Sequence, residues 1–183
     1  MQIIPGLRLD SQDYELAAAA LAQYAPDLAP LTWAQFTAPE KWALIPDPTG
    51  AAYKAERVVQ RTMARTLKFN LWFRPDLRAG ETPRPHSHPW DTFTSHILRG
   101  GYEEIVYTPA SHTAGDSNRI ARDDYHEVTA IHAPGKTLTL MVCGLWSPGW
   151  GYLDPASGAY ASHNPGDDPE FEARFRTLNP HLN

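Results

Sequence analysis

Two histidines separated by a single residue, His86 and His88, are the clearest candidates for chemistry in this 183-residue chain; they lie in residues 86–91, HSHPWD. Residues two apart in an extended strand project from the same face, so both imidazoles can reach one ion. Imidazole nitrogen suits first-row transition metals, whereas magnesium and calcium sites are built from oxygen ligands. The pattern therefore predicts a transition-metal site, and the alternative is a pair of exposed loop histidines beside a proline.

The elements that position these histidines are predicted to be strands, because the character of the chain changes at Thr66. From there, short runs of aromatic, β-branched and other apolar residues are separated by Gly, Pro, Asn or Asp, which is typical of strands joined by tight turns. The predicted strands are 66–73, 93–98, 102–107, 117–121, 126–131 and 137–143. Many short strands of this kind predict an all-β sandwich or barrel.

The segments on either side have a different composition. Residues 11–24 favour a helix with Ser11 as its N-cap, and residues 25–64 carry five prolines, which favours turns and loops packed on the domain. We therefore expect a helical and loop extension over 1–65 and a barrel core over 66–153. The remainder, 154–183, is expected to be a tail with one short helix.

The region around the histidine pair resembles the first motif of the cupin superfamily: Gly, five residues, His-x-His, three or four residues, Glu, six residues, Gly. Gly80, His86, His88 and Gly100 stand in this register, whereas Phe93 occupies the place of the Glu. The resemblance implies a cupin-type antiparallel β-barrel, also called a double-stranded β-helix or jelly roll, that holds one divalent metal ion. It also implies that the usual carboxylate ligand is absent from its normal position.

The second cupin motif is matched in part. Gly115 and His126 keep its spacing, whereas Ala121, Asp123 and Ala130 replace its Pro, Gly and Asn. By this resemblance His126 is the third metal ligand, delivered to the histidine pair from a distant strand.

The chain also resembles a group of bacterial and phage cupins that carry HxHPWD, LxGGY, DxH and WGF in this order. The corresponding segments here are 86–91, 98–102, 124–126 and 150–152, where the last reads WGY. The group implies the fold and the metal ligands, but no agreed reaction.

Two further side chains are candidates for the site. Asp91 lies three residues after His88 and could supply the missing carboxylate, as a metal ligand or as an acceptor that fixes a histidine tautomer, or it could transfer a proton during catalysis. The alternative is a turn residue that satisfies backbone N–H groups. Tyr125 precedes His126 and could offer its phenol for proton transfer, or simply pack in the core. Without Asp91, a three-histidine site with open coordination positions remains.

Other polar residues near the motifs are weighed against these. His96 is expected outside the site, because a strand in which Phe93 faces inward turns His96 outward. The arginines that flank the histidine segments offer either a clamp for a carboxylate or solvated surface charge; they are Arg84, Arg99 and Arg122. The remaining histidines are expected at the surface; they are His112, His132, His163 and His181.

Composition excludes several classes of partner. The net charge of −5 and the lack of a Lys/Arg cluster argue against nucleic acid, and no segment reaches the roughly 20 apolar residues of a membrane span. The first residues lack the features of a signal peptide, so a cytoplasmic location is expected. Cys143 lies in an apolar run and is expected to be a buried thiol rather than a nucleophile.

Two classes of function remain. The first is a mononuclear non-haem Fe(II) dioxygenase or other oxygenase that acts on a small organic molecule. The cupin resemblance implies this activity most often. Zinc, nickel or manganese would accept the same histidine ligands. The neighbouring variant is a non-oxidative metal isomerase, epimerase or lyase. The second class is a non-catalytic module that binds a small ligand. The resemblance also implies a homodimer paired through edge strands.

Overall fold

The computed structural model describes residues 1–76, 85–106, 109–163 and 168–182. Its strands are β1 Gln2–Ile4, β2 Leu7–Arg8, β3 Ala43–Pro46, β4 Ala52–Arg61, β5 Thr66–Trp72, β6 Thr92–Arg99, β7 Gly101–Ile105, β8 Pro109–Thr113, β9 Ser117–Ala121, β10 Glu127–Ile131, β11 Thr137–Cys143, β12 Trp150–Leu153 and β13 Tyr160–His163. Its helices are α1 Ser11–Tyr24, α2 Trp33–Phe36 and α3 Pro169–Leu178, with single 3₁₀ turns at Pro39–Lys41 and Pro180–Leu182.

Two antiparallel sheets make the body of the molecule. Six strands pair in the order β3-β4-β5-β11-β6-β9, and three pair in the order β10-β7-β8. Side chains of both sheets meet in one buried cluster that contains Trp72 and Ile97 from the first sheet and Tyr102 and Val128 from the second. The all-β prediction is therefore confirmed, with the helix α1 as an N-terminal addition.

Strand β5 lies at the centre of the larger sheet and is buried at every residue. Alternation places Leu67, Phe69 and Leu71 in a core cluster that also contains residues of α1. Lys68 and Asn70 point to the opposite face. A strand with two covered faces is expected where helices pack on one side and a second sheet lies on the other.

Helix α1 is fixed to the sheet by its first turn. Asp10 is the N-cap and exchanges hydrogen bonds with Asp13, whereas the sequence predicted Ser11 in that role. Arg99 donates to the carboxylates of Asp10 and Asp13 at 3.1 and 2.6 Å, and Lys136 donates to Asp10 at 2.7 Å. The capping carboxylates thus also anchor the helix to β6 and to the start of β11.

The prediction of turns and loops over 25–64 is wrong for part of that range. Residues 43–46 and 52–61 form β3 and β4, which belong to the six-stranded sheet. Strand β4 was not predicted because charged residues such as Lys54 and Arg57 are typical of the surface, yet both are buried. Pro46 is tolerated because it ends the edge strand β3.

The last segment is more regular than expected. A hairpin of β12 and β13 overlaps the predicted tail, and α3 follows it, close to the predicted short helix. Asn179 ties this end to the main sheet, since its Oδ1 accepts from the Leu44 backbone N–H at 2.6 Å and its Nδ2 donates to the Leu44 carbonyl at 2.8 Å. None of the described helices combines the length and the hydrophobicity needed to cross a bilayer.

Candidate metal centre

The backbone brings two of the predicted ligands directly opposite each other. The His86 N–H donates to the His126 carbonyl at 2.9 Å, and the His126 N–H donates to the His86 carbonyl at 3.0 Å. In an antiparallel pair bonded in both directions, the two side chains project from the same face. His88, two residues along, projects from that face as well. The extended stretch 85–88 is also paired on its other side, because the Ser87 N–H donates to the Gly151 carbonyl at 2.9 Å.

The three imidazoles converge as predicted. Ligand atoms of His86, His88 and His126 all lie within 4.8 Å of one another, and they form a group of residues that could hold a metal ion. The Nε2 atoms of His88 and His126 are 2.8 Å apart. A set of three imidazole ligands leaves coordination positions for other ligands, which is the arrangement of catalytic rather than structural sites.

Glu104 fixes the orientation of one imidazole. Its Oε2 lies 3.1 Å from Nδ1 of His126, so a proton on Nδ1 leaves Nε2 as a lone pair directed at the other histidines. Its Oε1 accepts from Asn118 at 2.6 Å and lies 3.0 Å from Nε2 of His112. Burial would raise the pKa of Glu104, but the hydrogen bond and charge of His126 and the contact with His112 lower it below its ordinary value. The carboxylate therefore stays ionised.

Asp76 accompanies a second imidazole. Its carboxylate is buried and lies 3.6 Å from Nε2 of His86, within the range of an ion pair. The Asp76 N–H donates to the Val128 carbonyl at 3.0 Å, which holds the end of the first sheet against β10. Two of the three histidines thus have a buried carboxylate beside them.

An aromatic ring takes the place of the missing carboxylate ligand. Phe93 is buried and packs edge-on against His88 with ring centroids 4.6 Å apart, and Trp90 stacks on His88 at 5.8 Å. Desolvation, together with the nearby His86, His126, Lys68 and Lys54, lowers the pKa of His88 well below its ordinary value. His88 is therefore neutral near pH 7, as a metal ligand must be.

A cavity of about 800 Å³ opens beside His86 and His88. Three charged residues form a buried group in its wall. Lys68 Nζ donates to Glu56 Oε2 at 2.7 Å, and Lys54 Nζ lies 3.8 Å from the same oxygen. Burial would raise the pKa of Glu56, but the two ammonium groups outweigh burial and lower it to about 2. The aromatic and apolar part of the wall includes Ile45, Tyr53, Trp90, Trp150, Tyr152 and Phe171.

The structure does not bring Asp91 into the histidine group. Asp91 is exposed, and its Oδ1 accepts from the Thr92 N–H at 2.7 Å. The same oxygen is so close to Gly144 that a side chain at that glycine would collide with it. The position of Asp91 matches the alternative of a turn residue that accepts from the backbone. It does not support a role for Asp91 as a metal ligand or in proton transfer. The buried carboxylates next to the histidines are Asp76 and Glu104.

Tyr125 lies next to the group without lining the cavity. Its ring packs edge-on against Tyr160 with centroids 6.2 Å apart. Desolvation, and then the neighbouring Tyr160 and Asp123, raise its pKa above the ordinary value, although a hydrogen bond with Ser87 acts in the other direction. Proton transfer by Tyr125 stays a prediction.

The other polar candidates occupy structural positions. His96 stacks on Tyr24 and lies 2.7 Å from Ser117 Oγ, outside the histidine group as expected. Arg99 anchors α1, and Arg122 donates to the Pro148 carbonyl at 3.2 Å, so neither is a substrate clamp in this structure. Arg84 and the motif residue Gly80 lie outside the described residues.

The surface histidines divide into different cases. The prediction of exposure is wrong for His112, which is part-buried against Glu104, and for His181, whose Nε2 lies 2.8 Å from the Trp42 carbonyl. His132 lies 3.8 Å from Glu103. The side chain of His163 is outside the described residues. Cys143 is a buried thiol as predicted, and burial raises its pKa to about 12.

Some functional residues were missed although the sequence carried a signal for them. Glu104 alternates with the exposed Glu103 and shares its face with the apolar Tyr102, so an inward carboxylate could have been inferred. Lys68 stands between Leu67 and Phe69 in a predicted strand and must face the other side. Asp76 gave no such signal, because its contact with His86 depends on the tertiary fold alone.

No protein-family model matches this sequence. No curated protein matches it either.

Solved structures with a similar fold do exist. A conserved protein with a double-stranded β-helix domain from Klebsiella pneumoniae is 16% identical, covers 55% of this chain and 84% of its own, and gives a TM-score of 0.42. A cupin superfamily protein from Desulfitobacterium hafniense is 9% identical, with 49% and 75% covered and a TM-score of 0.39. Pac13 from Streptomyces with uridine is 10% identical, with 60% and 78% covered and a TM-score of 0.39.

Proposed function

We propose that the protein is a metal-dependent enzyme that binds one divalent transition-metal ion through His86, His88 and His126. The observation that carries the proposal is the convergence of the three imidazoles, of which His86 and His88 line a cavity. Their donor set fits such an ion, because His88 is held neutral and Glu104 directs the lone pair of His126 into the group.

Fe(II) is the metal that we propose, with oxygenation of a small organic molecule as the reaction. Iron bound here would supply open positions at which dioxygen and substrate meet. The chain's own residues perform the other tasks. Phe93 and Trp90 shield His88 from water, and Glu104 holds the His126 imidazole in one orientation.

The cavity wall indicates a small organic anion as the substrate. Lys54 is 8% exposed, and no described residue receives a hydrogen bond from its ammonium group. Glu56 balances only one of the two lysine charges, so this group of three residues carries one net positive charge in addition to the metal, while the rest of the lining contains Asp47, Asp168, Glu170 and Arg174. A carboxylate at this place would pair with Lys54 while its organic part lies against Trp150 and Tyr152.

A second candidate is a non-oxidative isomerase, epimerase or lyase reaction on the same anion. Lys54 and Lys68 favour it, because two ammonium groups in the cavity wall can stabilise negative charge that develops on the substrate. Oxygenation has no need of such groups. In this case the metal would act as a Lewis acid.

Metal analysis tests the proposal first. Protein purified without added metal or a nickel affinity step is expected to contain about one iron atom per chain, and the His126→Ala variant is expected to contain almost none. His96→Ala is the matched control, because it removes a histidine outside the group. Full metal occupancy in His126→Ala would overturn the three-histidine site.

Oxygen uptake then separates the two reactions. Iron-loaded protein mixed with small carboxylates and phenols is expected to consume dioxygen with one of them, and Lys54→Met is expected to raise KM for an anionic substrate. Turnover that proceeds equally well without oxygen would support the non-oxidative candidate instead.

A further inference from the structure

Arg57 is a buried cation that the metal centre does not use. It lies on β4 between Lys54 and Val59, but on the face opposite to Lys54 and Glu56. Its neighbours on that face are Ala55 and Val59, which pack into the core cluster below α1. Arg57 is only 6% exposed.

The guanidinium group of Arg57 is not satisfied by the protein. Its Nε and Nη1 atoms are buried and have no hydrogen-bond partner among the described residues. Desolvation lowers the pKa of Arg57, and the field of Glu40 raises it only in part. No ion pair joins the two side chains. A buried charged donor without an acceptor is costly, so such a group points to a ligand.

A cavity of about 510 Å³ lies where this guanidinium group ends. It is formed between β4, the end of α1 and the short helix α2. Apolar side chains form about half of its wall, and the rest comes from Gln35, Glu40, Lys41 and Arg57; the apolar residues that matter here are Leu21, Leu28, Leu31, Ala34, Ala38 and Val59. Glu40 and Lys41 are exposed and line it too, so their opposite charges cancel. Arg57 therefore supplies the net charge of this cavity.

We propose that this cavity binds a small organic carboxylate with an apolar body, and that Arg57 recognises the carboxylate group. The planar guanidinium fork matches the two oxygens of a carboxylate, which explains a fixed arginine rather than a mobile surface lysine. The leucine and alanine walls suit an aliphatic chain. This site is independent of the proposed metal centre, since β4 separates the two cavities.

Octanoate is the probe, and titration calorimetry on the full chain measures its binding. In the Lys54→Met variant, which lacks the proposed carboxylate partner of the metal-centre cavity, saturable binding with one site at the α1 side is expected, and octan-1-ol of the same chain length is expected to bind much more weakly. Arg57→Met keeps the stem but removes the charge, and it is expected to weaken octanoate binding by at least about tenfold. Ala34→Trp fills the cavity from its exposed rim and is expected to do the same without disturbing Arg57.

Two controls separate this site from the metal centre and from misfolding. Lys54→Met removes the ammonium group that we propose to hold a carboxylate in the other cavity, so saturable octanoate binding that remains in this variant is assigned to the Arg57 cavity. Thermal unfolding of each variant shows whether it folds, and Arg57→Met is expected to fold because a buried unpaired charge has been removed. The proposal is overturned if octanoate does not bind saturably, if octan-1-ol binds as well, or if both Arg57→Met and Ala34→Trp bind like the wild type.

Discussion

Opposite faces of the same three strands, β4, β5 and β11, differ in what they bury. One face is apolar apart from Arg57 and Gln60 and contributes Phe69 and Leu140 to the core below α1. The other face, toward the metal centre, carries Lys68, Asn70 and Thr139, which are buried as well. The strands are therefore covered on both sides, but with different chemistry.

The two faces meet different requirements for stability. Apolar side chains need only to fill space, whereas each buried polar group needs a partner. On the polar face Lys68 pairs with Glu56 at 2.7 Å, and Trp72 Nε1 donates to Thr139 Oγ1 at 3.3 Å. The comparison teaches that the α1 face, outside the Arg57 cavity, mainly stabilises the fold, while the other face directs its buried polar residues toward the metal centre.

The largest effect is expected from breaking the apolar face. Phe69→Ala removes a fully buried ring at the centre of β5 and should lower the free energy of unfolding by about 3–5 kcal/mol. Urea denaturation measures this loss. Met63→Ala, at an exposed position, is the control and should change stability by less than about 0.5 kcal/mol. A loss below about 1 kcal/mol for Phe69→Ala would contradict the assignment of the core to this face.

A smaller loss is expected from breaking the charged group on the polar face. Glu56→Gln leaves Lys54 and Lys68 without their carboxylate and should cost about 2–3 kcal/mol at neutral pH. The double variant Glu56→Leu with Lys68→Met removes the pair together and should cost less than Glu56→Gln. If the double variant lost more stability than Glu56→Gln, the ion pair of Glu56 and Lys68 would itself be a net stabilising interaction.

The same residue gives a pH dependence of known sign. Because the pKa of Glu56 falls from 4.5 to about 2 on folding, its contribution to stability is present above pH 4.5 and is lost as the pH falls toward 2. The difference in urea midpoint between wild type and Glu56→Gln should therefore shrink between about pH 6 and about pH 3. A constant difference would mean that Glu56 is not ionised against the lysines.

Glu104→Gln should affect metal binding. The amide keeps the size of the side chain but loses the charge beside His126, so metal affinity should fall by about 10- to 100-fold. Competition with a chelator measures the affinity. His112→Gln removes the other histidine contact of Glu104 and is the matched control with a smaller expected effect. Equal affinity in Glu104→Gln and wild type would argue against the role of this carboxylate.

The smallest effect is expected for Asp91→Asn. The amide oxygen can still accept from the Thr92 N–H, so stability should change by less than about 0.5 kcal/mol and metal content should stay at the wild-type level. Elemental analysis measures the metal. Loss of metal in this variant would indicate that Asp91 is a metal ligand, and would contradict the exposed position of its side chain.

The sequence was most informative where local pattern decides the structure. Alternation in the run from Thr66 and the apolar run to Cys143 predicted β5 and β11 almost to the residue. The His-x-His spacing predicted His86 and His88, and the cupin resemblance implied His126. The contacts of Asp76 with His86 and of Glu104 with His126 depend on packing between sheets, which no local pattern reveals. Strand β4 was not predicted, because the burial of its charged residues depends on packing against other strands.

The reciprocal hydrogen bonds between His86 and His126 have a consequence for amide exchange with solvent deuterium. Each of these N–H groups is held by the other residue, although forty positions separate them along the chain, so neither exchanges unless the two segments part. A metal ion bound to both side chains would oppose that same opening. The exchange rates of these two amides therefore report metal occupancy directly, and slower exchange of both after metal addition is the expected signature.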